Sequence, residues 1–176
     1  MEKLKLRTLI SEDEINKKIV QIGQDIAKKF KKEPIVAICV LKGSMVFFAD
    51  LIRAMDTDLT CEFLGVSSYG NSTRSSGEIK ITLDLSVPVE GKNILLIEDI
   101  VDTGLTMNYL LHTLAARKPK SITTAALLHK PKAMEVDVKL DYVGFEISNE
   151  FVVGYGLDYQ GYYRNLPFIA QVQNIN

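Results

Sequence analysis

Residues 94–106 read ILLIEDIVDTGLT, an aliphatic run that stops at two adjacent acids, Glu98 and Asp99, and continues through Asp102 into Thr103-Gly104-Leu105-Thr106. Gly104 lets the backbone turn closely around an anion, and Thr103 and Thr106 offer hydroxyl donors. The open amides of a helix beginning at Leu105 would point to the same spot, so the turn has the parts of a phosphate cradle. Carboxylates beside a phosphate repel it unless they face another part of the ligand. Adjacent acids at a strand end can each accept from one of two vicinal hydroxyls, which suits a ribose carrying a terminal phosphate. Asp102 has no task in that scheme. Each fragment alone is ordinary, because Asp-Thr-Gly caps many helices and solvated acidic pairs end many strands. Their combination directly after a buried-type strand points to function.

Two commoner phosphate signatures are missing. There is no G-x-x-x-x-G-K-[ST], and Gly154-Tyr155-Gly156 has no third glycine three residues on, so neither a Walker-type loop nor a dinucleotide fingerprint is present. Hydrophobic residues make up 47% and charged residues 24% of the 176, a balance that builds a packed core rather than a disordered chain. The net charge of −1 argues against a broad basic face for nucleic acid, so any phosphate binding must be local. Cys39 and Cys61 lie in apolar runs away from any metal or redox spacing and read as reduced core residues. The N-terminal residues carry no signal-like apolar run and no segment reaches bilayer length, so the expectation is a cytoplasmic protein without a membrane partner.

The elements that must position these residues follow from periodicity. Ser11 with Glu14 forms a capping box, and Ile15, Ile19, Ile22, Ile26 and Phe30 recur at helical spacing. IVAICVL is a short, β-branched, fully apolar run, which reads as a strand buried on both faces and broken at Lys42-Gly43-Ser44. A helix over about 45–55 precedes the strand-like LTCEFLGVSS, the polar stretch YGNSTRSSG and the alternating EIKITLDL. The flanks of that polar loop could pair as an antiparallel arm. After the quoted motif come a helix over 105–117, the buried strand SITTAALL and three short candidates in KLDYVGF, FVVGY and PFIAQV. Apolar strands alternating with helices imply crossover units, hence an α/β fold with a mainly parallel twisted sheet and helices on both faces. No linker or repeat divides residues 1–176, which read as a single domain. Ligands of such sheets bind beyond the carboxyl ends of the strands, where Glu98 and Asp99 fall.

ILLIEDIVDTGLT closely resembles the phosphoribosyl pyrophosphate (PRPP) signature of the type I phosphoribosyltransferases. The resemblance extends over nearly the whole chain, because Leu41-Lys42-Gly43-Ser44 looks like the pyrophosphate loop and Ser68-Tyr69 opens what looks like the lid. HKP, FVVGYGLDY and YRNLPF are similar to the base- and metal-binding segments of the hypoxanthine-guanine branch. The resemblance implies a type I fold with a small hood and a mobile antiparallel lid. It implies Mg²⁺-dependent transfer of a phosphoribosyl group to a 6-oxopurine in purine salvage, by a homodimer or homotetramer.

Residue by residue, it places Glu98, Asp99, Asp102, Thr103, Gly104, Leu105 and Thr106 on the ribose phosphate, with Asp102 as catalytic base. Lys42, Gly43 and Arg164 fall on pyrophosphate, and a cis bond is implied at Leu41–Lys42. Lys130, Phe151, Val152 and Asp158 fall on the purine, and Glu98, Asp99 and Asp158 around the metal. An acid at Asp102, and a Lys130 that can donate to an exocyclic oxygen, favour a 6-oxopurine over adenine. Residues 69–77 are short of apolar side chains and are expected to move when empty and close over PRPP. Some proteins on this scaffold are nucleotide-sensing regulators; the near-neutral charge and the full set of Lys42, Asp102, Lys130, Asp158 and Arg164 favour chemistry here.

Overall fold

The computed structural model describes residues 4–31, 33–68 and 79–173. The strand β1 (Leu6–Ile10) leads into helix α1 (Glu12–Phe30), whose start is fixed by the capping box: Ser11 N–H donates to Glu14 Oε2 at 2.8 Å and Glu14 N–H to Ser11 Oγ at 3.4 Å. Acids in its first turn and Lys28 and Lys29 in its last complement the helix dipole. Its buried stripe contains all five expected apolar residues, Ile15 to Phe30.

Strand β2 (Ile35–Leu41) is followed by α2 (Met45–Arg53), β3 (Leu59–Ser68) and β4 (Ile79–Leu83). Then come β5 (Asn93–Val101), α3 (Leu105–Ala115), β6 (Ser121–His129), a 3-10 turn at Pro131–Ala133 and β7 (Tyr142–Glu146). The six strands form one sheet in the order β4-β3-β2-β5-β6-β7, parallel except for β4, which pairs antiparallel with β3 from Gly65↔Leu83 to Ser68↔Ile79. The expected antiparallel arm is therefore present as far as those strand ends; the lid itself, from Tyr69 to Gly77, lies outside the described residues.

Both sheet faces are covered, and the strands read accordingly. Ile35, Ala37, Cys39, Leu95 and Ile97 pack toward α1 and α2, whereas Val36, Ile38, Val40, Ile94 and Leu96 pack toward Met107, Leu110 and Leu114 of α3. Two-sided burial explains why β2 and β5 are continuous apolar runs rather than alternating ones. Cys61 departs from the expectation of a core residue: it is exposed, because α1 and α2 sit over the centre of the sheet and leave part of the β3 face bare. Phe63, two residues on, is also exposed.

A second sheet of three antiparallel strands, β1-β9-β8, is built from β8 (Val152–Val153) and β9 (Ile169–Val172) with β1. It is the small hood. Its Ile10, Val152 and Ile169 join the core on the α1/α2 side, which seats the hood over that end of the main sheet.

Candidate active site

The parallel register decides which side chains meet. Ile35 to Cys39 pair with Asn93 to Ile97, so the end of β2 and the acids of β5 arrive side by side. Val101 pairs with His129, which brings the next residues, Asp102 and Lys130, together. Lys130 N–H donates to Val101 O at 2.9 Å, and its Nζ reaches Asp102 Oδ2 at 3.3 Å. Lys130 is only 8% exposed, whereas the Asp102 side chain is half exposed. A buried cation thus presents its charge to one open carboxylate.

The turn after β5 has the expected form. Gly104 caps α3 with φ +85°, and a Cβ there would lie 2.5 Å from Val136 O and 2.9 Å from Met134 Cε. Both the left-handed backbone and the lack of space require glycine. Thr103 O accepts from the amides of Glu135 (2.9 Å) and Val136 (3.2 Å), so the 134–136 segment clamps the turn from outside. Leu105 N–H meets Thr103 Oγ1 at 3.4 Å, and first-turn amides of α3 have no intrahelical acceptor. Glu98, Val101, Asp102, Thr103, Gly104, Thr106 and Met107 are among the residues lining a cavity of about 90 Å³. The cavity is open to solvent on one side and is lined by the Thr103–Thr106 turn.

Glu98 is buried, and its removal from water, reinforced by the neighbouring Asp99 charge, holds its carboxyl well above the usual range. Burial pushes Asp99 up to about 6; the charge of Asp158 adds to this and Arg164 opposes it. Asp99, Asp158 and Arg164 therefore feel one another across the cleft. Arg164 Nη2 lies 2.5 Å from Asp158 Oδ1, Arg164 Nη1 donates to Gly156 O at 2.6 Å, and Gly161 N–H donates to Asp158 Oδ2 at 2.7 Å.

The loop after β2 completes this side. The Leu41–Lys42 peptide bond is cis, as the resemblance implied. Lys42 is exposed and makes no ion pair with the described residues. A Cβ on Gly43 would collide with the Asp99 carboxylate, so the loop backbone lies directly against that side chain. In the hood, Val152 is buried and Phe151 is 45% exposed, set edge-on to Tyr159 with ring centroids 5.8 Å apart. Ser68 closes β3, and Tyr69 lies outside the described residues.

The domain model described as phosphoribosyl transferase matches residues 6–160. The chain belongs to the phosphoribosyltransferase family. It is 53% identical over 164 residues to the hypoxanthine-guanine phosphoribosyltransferase of Bacillus subtilis (strain 168), covering 93% of this chain and 91% of that one. The crystal structure of a hypoxanthine phosphoribosyltransferase from Staphylococcus aureus superposes with a TM-score of 0.92 at 42% identity, covering 97% of this chain and 92% of that one. A hypoxanthine-guanine phosphoribosyltransferase from Bacillus anthracis str. 'Ames Ancestor', with HEPES in its active site, gives 0.92 at 46%, covering 97% and 100%. The hypoxanthine-guanine branch is thus the chain's place in the family, and the α/β class and hood are those of a type I phosphoribosyltransferase.

Sequence reasoning did not find how the phosphoribosyltransferase elements lock together. The clamp of 134–136 on Thr103 is made by backbone amides and leaves no side-chain signature. Gly156 stands directly against Gly43 O, where a Cβ would collide. Its signal was the Gly154/Gly156 pair, set aside once the dinucleotide fingerprint failed. Replacing Gly43 with alanine forces Asp99 or the 42–44 backbone to move. A displacement on the order of 1 Å can cost about 10²-fold in rate, so Gly43→Ala should lose roughly that much turnover while its thermal midpoint stays near wild type. Turnover within threefold of wild type would show that the close approach does not matter.

Proposed function

We propose that residues 1–176 act as one domain that transfers the 5-phosphoribosyl group of PRPP to hypoxanthine or guanine, releasing pyrophosphate and forming IMP or GMP in purine salvage. The observation that carries this reading is the Lys130–Asp102 pair, whose carboxylate also lines the cavity at the Thr103–Thr106 turn. A 6-oxopurine presents an exocyclic carbonyl oxygen and an imidazole nitrogen near one edge. Lys130 donates to the oxygen, and Asp102 accepts the proton of the nitrogen. Adenine offers an amine where the oxygen should be, so Lys130 would face a donor; leaving such a buried group unsatisfied costs about 1–3 kcal/mol. That penalty selects against adenine by about one to two powers of ten.

In the transfer the bond from C1′ to the pyrophosphate oxygen breaks and the bond from C1′ to the purine nitrogen forms. Asp102 takes the proton released by the imidazole ring. Glu98 and Asp99 hold the vicinal ribose hydroxyls, and Thr103, Gly104, Leu105 and Thr106 hold the 5′-phosphate by hydroxyls and helix amides. Lys42, the Gly43 amide region and Arg164 receive the negative charge that builds on departing pyrophosphate. Phe151, exposed at the hood edge, stacks on the base, and Val152 offers its backbone to the base edge. Asp158 closes the far side of the base.

The oxygen-only donors Glu98, Asp99 and Asp158 suit Mg²⁺, which takes few carboxylates and keeps several waters. Among the described residues no cluster of three or more acidic, His or Cys side chains is arranged to hold a metal. The raised carboxyl of Asp99 beside Asp158 is the local charge such a cation would relieve. When bound, Mg²⁺ neutralises charge on pyrophosphate and ribose oxygens.

The enzyme acts on small molecules in the cytoplasm, and no described helix is long and apolar enough to cross a membrane. Met45 on α2, Phe63 on β3 and Leu83 on β4 are large apolar side chains left exposed, which supports assembly as a homodimer or homotetramer. Sedimentation at micromolar concentration should give two or four chain masses; a single chain mass rejects the assembly.

The reaction is tested by incubating the protein with PRPP, Mg²⁺ and each purine separately. Nucleotide should form with hypoxanthine or guanine, and far less with adenine; formation from adenine alone contradicts the assignment. Asp102→Asn should lower turnover about 10²- to 10⁴-fold while PRPP affinity is kept. Full turnover in that variant removes Asp102 from the role of base.

A further inference from the structure

Tyr155 has no part in the chemistry above, yet several constraints converge on it. Gly154, Tyr155 and Gly156 take φ values of +99°, +48° and +100° in succession, and the middle residue is one whose side chain disfavours that region. Its ring is 4% exposed and belongs to the core cluster formed with α1, α2 and the central strands. Its hydroxyl donates a short hydrogen bond to Asp50 Oδ2 on α2, while Arg53 pairs with Asp50 Oδ1. Burial, reinforced by Asp50, keeps the phenol pKa far above its ordinary value, so the group remains a donor at every physiological pH.

The position of Tyr155 in the chain gives this contact its meaning. On the N-terminal side, Val152 and Val153 are held by strand pairing with Gln171 and Ala170, independently of Tyr155. On the C-terminal side, Asp158 and Arg164 stand in a loop outside the strands. That loop is tied to itself by the Asp158–Arg164 pair and the Gly161–Asp158 bond, and closed at its base by Tyr155 N–H to Leu166 O (2.8 Å) and Gly156 N–H to Arg164 O (2.9 Å). It meets the pyrophosphate side through Gly156 against Gly43 O and Tyr155 on Asp50, while Leu157 packs into the core cluster. Helix α2, which carries Asp50, begins directly after Lys42-Gly43-Ser44.

We propose that the Tyr155–Asp50 hydrogen bond is a positioning clamp that sets Arg164, at the base of the 156–164 loop, at a fixed distance from Lys42 and Gly43, so that Tyr155 serves chiefly the pyrophosphate end of the substrate. The inference rests on the phosphoribosyl-transfer reading above and deepens it. Tyr155 is a positioning residue, because its hydroxyl acts through α2 and the 156–164 loop without touching substrate.

Tyr155→Phe keeps the buried ring and removes only the hydroxyl. Calorimetry on the full chain should show Mg²⁺-pyrophosphate binding weakened about tenfold, as expected for one hydrogen bond to a charged group, and the KM for PRPP raised to a similar extent. Binding of IMP, which needs no pyrophosphate loop and meets the 156–164 loop through Asp158 alone, should weaken far less, by no more than about threefold. Asp50→Ala should reproduce the pattern, and the double variant should lose little more than either single one. The clamp is rejected if pyrophosphate and PRPP are bound as by wild type, or if IMP weakens equally, which marks a general packing role. Should Tyr155→Phe fail to fold, Asp50→Ala is read by the same criteria. A wild-type chain that binds neither PRPP nor IMP instead sinks the assigned reaction, which keeps the two failures distinct.

Discussion

The structure depends on the register of the parallel sheet. Ile35↔Asn93 and Val101↔His129 are two points of one alignment, and they set where β2, β5 and β6 end relative to one another. A slip of one residue would send every side chain of a strand to the opposite face. With Ile38 and Ile97 both fully buried on opposite faces, such a slip would exchange the interlocked sets packed under α1/α2 and under α3. Burial on both faces therefore does more than stabilise. It delivers Gly43 against Asp99, and Lys130 against Asp102, with the accuracy of the backbone ladder. Side chains on flexible loops alone would not hold Lys130 within hydrogen-bonding distance of Asp102.

That accuracy matters because the site concentrates like charge. Burial first, and then the charge of a neighbouring acid (Asp99 for Glu98, Asp158 for Asp99), raises the carboxyls of Glu98 and Asp99, with Arg164 opposing the shift at Asp99. A site of this kind is poised for hydroxyl donors and a divalent cation rather than for a bare anion. In the proposed reading the phosphate goes a few residues away, to uncharged donors at the start of α3, so the two ends of one ligand would meet opposite electrostatic surroundings. Segregation of charge along nine residues of sequence, from Glu98 to Thr106, matches the segregation of charge along a sugar phosphate.

Much of this was legible before any coordinates. Two-sided apolar runs marked β2, β5 and β6, the Ser11–Glu14 box marked the start of α1, and the acid-acid-cradle order marked the site, because each depends on near neighbours in sequence. Features that depend on distant packing were not legible. The strand β1 (LRTLI) was missed because it alternates weakly over five residues and gains its meaning only by pairing with β9 at the other end of the chain. Cys61 was misplaced because its strand looks apolar, whereas exposure is set by where α2 happens to lie. Tyr155 was passed over for a related reason: a buried tyrosine between glycines reads as packing until its partner on α2 is seen. Helix α3 ends at Ala115, two residues before the expected Arg117, where the chain turns toward Lys118 with φ +54°.

The central claim is that one strand edge grips a phosphorylated pentose and turns a single carboxylate toward an incoming nucleobase. Crystals grown with IMP test it most directly. The 5′-phosphate is expected in the turn from Thr103 to Thr106, both ribose hydroxyls on Glu98 and Asp99, and the purine oxygen on Lys130 with its imidazole edge toward Asp102. A phosphate bound away from that turn, or a purine ring placed out of reach of Asp102 and Lys130, would contradict it.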